Sequence, residues 1–491
     1  MNYPLLFRLI AFIVLAVAAA MSASLGVAFL YDEWLHWPAA IEGFVVSILV
    51  ALVLGVLLRF LGRKADMRFF KKEALALIGI SWILASILGS LPYYLILPDS
   101  HFSDAIFEST SGFTTTGASV FTGFESWPRS LLFWRCLTQW IGGLGVVVFF
   151  VAILGSLGAS GKILFTNESS GTSTDIDAGR FQSGVLQILY FYLAISALCC
   201  LAMRFFGLSW YDAVCHTFTT ISTGGFSTNS LSIQGFQNPA LEWCMIVFMI
   251  LGGTSFILLL RLVRGDIRAF RRNDEFKVYF MVLFVATLVL TLLRVEDRGE
   301  LALYENLRAA AFQAVSIMTT SGFSSENFDL WQTPAKMILL ALMLIGGCTS
   351  STAGGAKVLR IVILFKVLLQ NVEKSYRPNV VRPVKVNGRT LQEANRDNAI
   401  GFLTLMISIL LISVVGISLI EHQESVATAF SIVYCTLFNI GPGLDQVGPA
   451  SNFGFLKPVT KFFLSLLMIM GRLELYAILV LFSPSLWRKF S

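Results

Sequence analysis

Runs of about twenty apolar residues recur along the whole chain, and they constrain the fold more than any other feature. A helix needs roughly 20 such residues to cross about 30 Å of hydrocarbon. Only 13% of the 491 residues are charged, whereas soluble domains carry about a quarter. The sequence therefore predicts an all-α polytopic membrane protein. Its ten predicted spans are 9–31, 41–61, 73–96, 129–157, 183–206, 239–262, 277–294, 335–369, 398–420 and 458–482.

Positive charge collects in the loops of one side. Segments 59–72, 261–277 and 357–396 are basic, and with loops assigned alternately to two sides most of the 36 Lys and Arg residues fall together. Cytoplasmic loops carry such an excess, so we expect these loops and both termini in the cytoplasm. The net charge of +6 is then a topology signal, and no nucleic-acid partner is expected.

Four segments rich in Ser, Thr and Gly recur about every 100 residues, at 109–119, 219–230, 317–328 and 436–444. Aligned on one glycine each, every segment has an alanine twelve residues earlier, which opens a short apolar stretch of about three helical turns. A second glycine site, where we expect a helix break, follows inside a long apolar span. The aligned glycines are Gly117, Gly225, Gly322 and Gly441, the alanines are Ala105, Ala213, Ala310 and Ala429, and the second sites are Gly142–Gly143, Gly252–Gly253, Gly346–Gly347 and Gly471.

Each repeat therefore predicts an outer span, a re-entrant half-helix, a polar loop and an inner span. Four parallel units fit this pattern better than the two inverted repeats of many solute transporters. We expect an N-terminal transmembrane pair at 1–68, followed by pore repeats at 69–160, 161–268, 269–372 and 373–491.

The polar segments predict a pore for a small monovalent cation. Irregular backbone at membrane depth is tolerated only where protein buries it or water reaches it. Four such segments can share one axis, where glycine lets carbonyl oxygens turn inward and replace the hydration shell of an ion. The predicted ion ligands are Thr115, Thr116, Gly117, Thr223, Gly224, Gly225, Thr320, Ser321, Gly322, Asn439, Ile440 and Gly441.

Residues 346–357 (GGCTSSTAGGAK) interrupt the third inner span. Four Gly and four Ser or Thr in twelve residues cannot make a stable lipid-facing helix. We interpret this segment as a flexible intramembrane loop that can occlude the pore below the filter; the alternative is a helix kink packed against a neighbour. The predicted gate residues of this loop are Gly346, Gly347, Thr349, Ser350, Ser351, Gly354, Gly355 and Lys357.

Arg472 is the most informative single charge, because it lies in the middle of an apolar span. An unpaired cation there costs at least about 2.5–3.5 kcal/mol. We expect Arg472 to point into the cavity, hold loop carbonyls and raise a positive barrier; the alternative is an ion pair with a carboxylate of another helix. Glu474 is a poor local partner, since it lies on another helix face. Arg135 and Gln139 are expected to brace the adjacent pore helix.

The motifs TTTGAS, STGGFS, TTSGFS and NIGPGL resemble the filters of the Trk/Ktr/HKT superfamily of potassium transporters, and QWIGGLG, GGCTSSTAGG and MGRLELY add to the likeness. The length and the extra N-terminal pair are most similar to the TrkH-type members. The resemblance implies K⁺ uptake across the bacterial inner membrane by a homodimer with one pore per subunit. It also implies a cytoplasmic TrkA-like ring that binds nucleotide (NAD(H) or ATP/ADP), with no cofactor in this chain.

Details of the resemblance bear on selectivity and regulation. A serine at the position of Gly117 is associated with Na⁺ passage in plant relatives, so Gly117 favours K⁺. The fourth repeat departs from the others, because Phe438, Asn439 and Ile440 replace the Ser/Thr-rich approach and Pro442 follows the glycine. We expect segments 158–182 and 357–396 to be the docking surfaces for the TrkA-like ring. The equal alternative is that their charges are solvated and only set the membrane topology.

A symporter of the same architecture, coupling K⁺ to Na⁺ or H⁺, is the nearest rival function. A membrane enzyme has no motif in its favour.

Overall fold

The computed structural model describes residues 1–64, 71–98, 100–156, 178–298, 302–380, 383–422 and 424–487, and helices dominate it. Of the predicted docking segment 158–182, residues 158–177 lie outside this range. The helices are α1 (Tyr3–Leu30), α2 (Glu33–His36), α3 (Pro38–Leu61), α4 (Lys71–Ile96), α5 (Phe102–Phe113), α6 (Arg129–Ser156), α7 (Ala178–Phe205), α8 (Trp210–Ile221), α9 (Pro239–Gly253), α10 (Phe256–Val263), α11 (Ile267–Arg272), α12 (Asp274–Arg298), α13 (Leu303–Met318), α14 (Thr333–Ile345), α15 (Val358–Tyr376), α16 (Glu393–Ile420), α17 (Val426–Leu437), α18 (Pro458–Arg472), α19 (Tyr476–Leu479) and α20 (Pro484–Trp487). Strands β1 (Lys385–Val386) and β2 (Arg389–Thr390) form one antiparallel hairpin.

Helix occupies each of the ten predicted spans. Six described helices are long and apolar enough to cross a membrane (α1, α3, α4, α7, α12 and α16), and two bent pairs raise the number to eight. Their outward faces are apolar: on α3, for example, Val53 and Val56 are exposed. Such a face is stable only against lipid or another protein, so the prediction of an all-α polytopic membrane protein is confirmed.

Four similar units follow the N-terminal pair α1 and α3. In each unit an outer helix (α4, α7, α12 or α16) precedes a short helix (α5, α8, α13 or α17), and a loop leads to an inner helix that begins with α6, α9, α14 or α18. The four short helices are the predicted half-helices, and their aligned alanines are fully buried at Ala105, Ala213, Ala310 and Ala429. This order confirms the predicted repeat.

Local sequence signals set where several of these helices begin. The Ser209 hydroxyl accepts from the Asp212 amide at the start of α8, and Ser425 accepts from Thr428 at the start of α17, both at 3.0 Å. Each bond satisfies one of the amides that a helix N-terminus leaves unpaired. Inner helices α9, α14 and α18 instead carry a proline in the first turn, where its missing amide hydrogen has no cost.

Three inner helices break near the predicted glycine site, and the fourth does not. The α9–α10 pair bends by 103° and the pair formed by α18 and residues 476–482 by 118°, while α14 ends at Ile345 before the interrupting loop. Helix α6, however, runs unbroken through Gly142–Gly143 to Ser156, so the predicted break there is wrong. A Cβ at Gly142 would overlap the Phe113 carbonyl oxygen, and one at Gly143 would lie 2.7 Å from Ser222. These glycines permit close helix packing rather than a bend.

Candidate functional site

The four aligned segments share an unusual backbone. Each aligned glycine has a positive φ between 74° and 87°, and so does the residue two positions earlier, with φ of 52–56°. Positive φ is uncommon for residues other than glycine and costs energy, so surrounding contacts must impose it. The non-glycine residues with this conformation are Thr115, Thr223, Thr320 and Asn439.

One hydrogen bond repeats at the end of every pore helix. The amide of the residue before each aligned glycine donates to the carbonyl five residues earlier, as in Thr116 to Ser111 at 2.9 Å. The last carbonyls of a helix need such partners because the helix itself supplies none. The equivalent bonds are Gly224 to Thr219 (2.8 Å), Ser321 to Ser316 (2.8 Å) and Ile440 to Cys435 (3.0 Å).

The four segments meet in a closed ring. A Cβ built on Gly117 would overlap the Gly224 carbonyl oxygen, one on Gly225 that of Ser321, and one on Gly322 that of Ile440. The ring closes at Gly441, whose Cβ would lie 2.8 Å from the Thr116 oxygen and 3.0 Å from that of Gly117. The three predicted ion ligands of each segment therefore contact those of the next segment, and the four segments surround a single axis.

Two polar side chains of the first inner helix, α6, contact the first pore helix and the ring. Gln139 Nε2 donates to the Gly224 oxygen at 2.7 Å, and its Oε1 accepts from the Phe226 amide at 3.1 Å. Arg135 contacts the first pore helix, as predicted, whereas Gln139 contacts the ring segment of the second repeat. Because the Gly224 carbonyl already accepts from Gln139, it has less capacity to coordinate an ion.

Asn439 ties the divergent fourth repeat into the ring. Its Nδ2 donates to the Thr116 hydroxyl at 2.8 Å and to the Met468 carbonyl at 2.9 Å. The side chain therefore joins the fourth segment both to the first segment and to its own inner helix, α18. This role explains why an amide replaces the hydroxyl side chains found at the same place in the other repeats.

The intramembrane loop 346–357 lies directly against the ring and contacts three of its segments. The Gly354 amide donates to the Thr320 hydroxyl at 2.6 Å, and the Gly355 amide donates to the Phe438 carbonyl at 3.2 Å. The Thr352 hydroxyl donates to the Ile221 carbonyl at 2.9 Å. These contacts place the loop across the end of the ring at which the pore helices terminate.

Two buried cations hold neighbouring carbonyls of this loop. Arg472 Nη1 donates to the Thr352 carbonyl at 2.6 Å, and Lys357 Nζ donates to the Ala353 carbonyl. Within the described part of the chain, Nε and Nη2 of Arg472 have no hydrogen-bond partner. Its neighbour Glu474 pairs instead with Arg360, at 2.5 Å between Nη2 and Oε2. A positive charge therefore lies against the loop without a carboxylate partner among the described residues.

A buried carboxylate fixes the opposite side of the loop. Glu275, in the first turn of α12, accepts from the Thr349 amide at 2.6 Å and from the Thr349 hydroxyl at 2.7 and 2.8 Å. The broken inner helix also contributes, because the Gly253 carbonyl accepts from Cys348 and that of Gly252 accepts from Thr352. The bend between α9 and α10 frees these two carbonyls for the loop.

The residue before Glu275 holds the β-hairpin. Asp274 accepts from the Lys366 ammonium group at 2.7 Å and from the Asn387 amide at 3.0 Å, and the Asp274 amide donates to the Asn387 side chain at 2.7 Å. The hairpin residue Val386 packs with apolar residues of α15 and Ala399 of α16. Adjacent carboxylates on one helical turn thus bind the hairpin and the intramembrane loop.

All the predicted gate residues lie in the loop or against it, but sequence reasoning missed two of its anchors. Thr352 supplies both the carbonyl held by Arg472 and a hydroxyl that reaches the ring, and it was not among the predicted gate residues. Glu275 was missed as well. Its only sequence signal is a carboxylate at the start of an apolar span, which is as typical of a solvated helix end. The role of the ring and loop in conducting an ion stays a prediction.

Comparisons with known proteins agree on one family. The TrkH family model, described as a cation transport protein, matches residues 40–489. The Trk system potassium uptake proteins TrkH and TrkG of Escherichia coli K12 are 32% and 30% identical to the chain, over 100% and 97% of both sequences. The crystal structure of the potassium transporter TrkH from Vibrio parahaemolyticus superposes with a TM-score of 0.89 at 29% identity, over 99% of this chain and 100% of that one.

Proposed function

The chain belongs to the TrkH family of cation transport proteins, and from this premise we propose that it takes up potassium across a bacterial inner membrane. The ion passes through the ring formed by the four aligned segments. The similarity of the chain, over its full length, to Trk system potassium uptake proteins supports the choice of K⁺.

The closed ring of four glycines is the observation that carries this proposal. In all four segments the aligned glycine and the residue two positions earlier have a left-handed conformation, so the backbone geometry is the same in each. The glycines allow neighbouring segments to touch. Uncharged oxygens in such a ring can replace the water around a cation without trapping it, which favours conduction. The buried threonine hydroxyls of the segments add further oxygens.

The intramembrane loop is the proposed gate. It lies against the ring at the ends of the pore helices, and Arg472 and Lys357 hold two successive loop carbonyls. A buried guanidinium beside the path repels a cation as well as fixing the loop. Opening therefore requires the loop to leave the ring and Arg472 to release Thr352.

The orientation and partners form part of the same proposal. The excess of Lys and Arg supports cytoplasmic termini, and family membership supports a homodimer regulated by a cytoplasmic TrkA-like ring that binds NAD(H) or ATP/ADP. The β-hairpin lies in the basic segment 357–396, which we propose as the docking surface. Pull-down of a purified TrkA-like protein by the full chain, with and without each nucleotide, tests the proposed docking.

Flux into liposomes tests the proposed transport. The purified chain should take up ⁸⁶Rb⁺ or K⁺ in preference to Na⁺. Gly117→Ser introduces a side chain at a φ of 81° and against the Gly224 oxygen, so the first two ring segments must move apart and we expect the K⁺ preference over Na⁺ to fall. Gly416→Ser is the matched control, because no atom lies within 4 Å of a Cβ there.

Two outcomes would contradict the proposal. Wild-type protein that carries no K⁺ would refute potassium transport, and unchanged selectivity in Gly117→Ser would refute the assignment of the ring as the filter. Repeating K⁺ flux at varied Na⁺ concentration and pH distinguishes simple permeation from coupled symport. Permeation predicts that K⁺ flux follows only the K⁺ gradient and the membrane potential.

A further inference from the structure

Three pore helices bury a polar side chain at the same place, and the pore chemistry above leaves these side chains unused. Glu108, His216 and Gln313 each lie nine residues before an aligned glycine, and each is fully buried. A buried polar group costs free energy unless it makes hydrogen bonds. Its repetition in three units, with a different residue type each time, indicates a shared structural task.

Each of these side chains contacts a serine on the far side of the aligned glycine in its own repeat. Glu108 accepts from the Ser119 hydroxyl at 2.9 and 3.0 Å and from the Val120 amide at 3.1 Å. His216 Nε2 lies 3.0 Å from the Ser227 hydroxyl. Ser119 and Ser227 both lie two residues after the aligned glycine, in the part of each ring segment that we call its limb. Each contact therefore connects the limb of a ring segment to the pore helix of the same repeat, and we name these contacts the limb braces.

The tautomer of His216 follows from its second partner. Nδ1 lies 2.8 Å from the Asp212 carbonyl oxygen, and a carbonyl can only accept a hydrogen bond. Nδ1 therefore carries a hydrogen, and in the neutral ring Nε2 accepts from the Ser227 hydroxyl. The Ser227 oxygen in turn accepts from the Asn229 amide at 3.1 Å, so this brace continues into the following loop.

Arg135 joins the first two braces. Its Nε donates to Glu108 at 2.7 Å, and its Nη1 donates to the Ser227 carbonyl at 3.0 Å. The guanidinium carbon lies 3.5 Å from the Phe226 ring centre and 4.2 Å from that of Phe124. One buried cation thus fixes two neighbouring ring segments relative to each other. Charged partners make this contact stronger than a neutral hydrogen bond.

The third and fourth repeats use different contacts between the pore helix and the backbone that follows the glycine. Gln313 Nε2 reaches the Ser325 hydroxyl only at 3.4 Å, and its Oε1 has no partner in the described part of the chain. The aligned residue in the fourth repeat is Ile432, and there the Ser431 hydroxyl accepts from the Leu444 amide at 2.6 Å instead. In the third repeat the Ser316 hydroxyl also donates to the Phe323 carbonyl at 2.7 Å. A buried polar residue nine positions before the glycine that bonds closely to the serine two positions after it is therefore found in the first two segments of the ring.

We propose that Glu108 and His216 are positioning residues for ion selectivity, acting through Ser119 and Ser227 to fix the spacing of the first two ring segments. This inference rests on the proposed function. A ring that cannot contract keeps its oxygens too far apart for a smaller ion, and several weak restraints on the limbs prevent contraction. Loss of a brace should admit Na⁺ while K⁺ still passes.

The experiment compares single hydroxyl deletions in full-length protein reconstituted in liposomes. Ser119→Ala and Ser227→Ala each remove one brace without a large change in volume. Ser324→Ala is the matched control, since Ser324 stands at the same aligned position and its hydroxyl has no hydrogen-bond partner among the described residues. The readout is the permeability ratio of K⁺ to Na⁺, obtained from reversal potentials, beside the absolute K⁺ flux.

We expect Ser119→Ala and Ser227→Ala to lower the permeability ratio by about fivefold each, the factor that corresponds to one net hydrogen bond. Ser324→Ala should leave the ratio unchanged. Glu108→Gln combined with Ser119→Ala should be no worse than the more severe single variant, because the two side chains form one brace. All variants should retain K⁺ flux, which excludes unfolding.

Equal ratios in Ser119→Ala, Ser227→Ala and wild type would overturn the inference, and so would an equal loss in Ser324→Ala. Strict additivity of the double variant would show that Glu108 and Ser119 act separately, which also contradicts it. Each of these results requires a wild type that conducts K⁺ selectively. Failure of the transport proposal would appear earlier, as a wild type without K⁺ flux.

Discussion

Replacing Arg472 by methionine should open the proposed gate. Methionine keeps an unbranched apolar stem of similar reach and removes the guanidinium, so the Thr352 carbonyl loses its donor at 2.6 Å. A hydrogen bond from a charged donor contributes about 1.5–3 kcal/mol. That range corresponds to a roughly 10- to 150-fold shift of the closed–open equilibrium toward the open state. Removal of the positive charge beside the path acts in the same direction.

The assay is basal K⁺ flux into liposomes without any regulatory partner. Arg472→Met should raise this flux, and Arg472→Lys should have a smaller effect because it keeps the charge but lacks the planar guanidinium. The matched control is Arg204→Met: this exposed arginine also donates to a main-chain carbonyl, that of Leu208 at 3.0 Å, but lies at the end of α7. Unchanged flux in Arg472→Met, or an equal rise in Arg204→Met, would refute the gate.

Two further substitutions have defined outcomes. Glu275→Gln replaces a charged acceptor of the Thr349 amide and hydroxyl by a neutral one, so basal K⁺ flux should rise, though less than in Arg472→Met. The control Glu393→Gln, at an exposed helix start, should not change the basal flux. Equal flux in the two variants would contradict the role of Glu275. Partial burial acts to raise the pKa of Glu125, but hydrogen bonds from the Ser230 amide and hydroxyl outweigh it and lower the pKa below its ordinary value. The ionised group therefore stabilises the protein above its unfolded-state pKa, and this contribution is lost as pH falls through the lowered pKa. Wild type should melt at a higher temperature than Glu125→Gln at neutral pH, with the difference vanishing on acidification; a difference independent of pH would contradict this reasoning.

The repeated architecture could be predicted from the sequence because its physical requirements are local. Glycine marks positions where the backbone needs a positive φ, and hydroxyl-rich stretches inside apolar sequence mark backbone that must avoid lipid. Aligning Gly117 with its three equivalents therefore predicted the repeat that the structure contains. The left-handed conformation of Thr115 carried no such mark, since threonine at a positive φ is imposed by its surroundings.

Contacts between distant parts of the chain explain what the sequence did not reveal. Glu275 and Thr349, or Arg360 and Glu474, are far apart in sequence, and only the packing of several helices brings each pair together. The Gly142–Gly143 site failed for a different reason. Glycine serves equally for a bend and for close packing of backbones, and the sequence does not distinguish these uses without knowledge of the neighbour.

The adjacency of Asp274 and Glu275 has a mechanical consequence. Both carboxylates belong to the first turn of α12, so they are covalent neighbours on one stiff rod. A force that pulls Asn387 or Lys366 displaces Asp274, and Glu275 must travel with it, carrying the amide of Thr349. The first turn of α12 therefore connects the exposed hairpin to the loop 346–357 through two adjacent side chains.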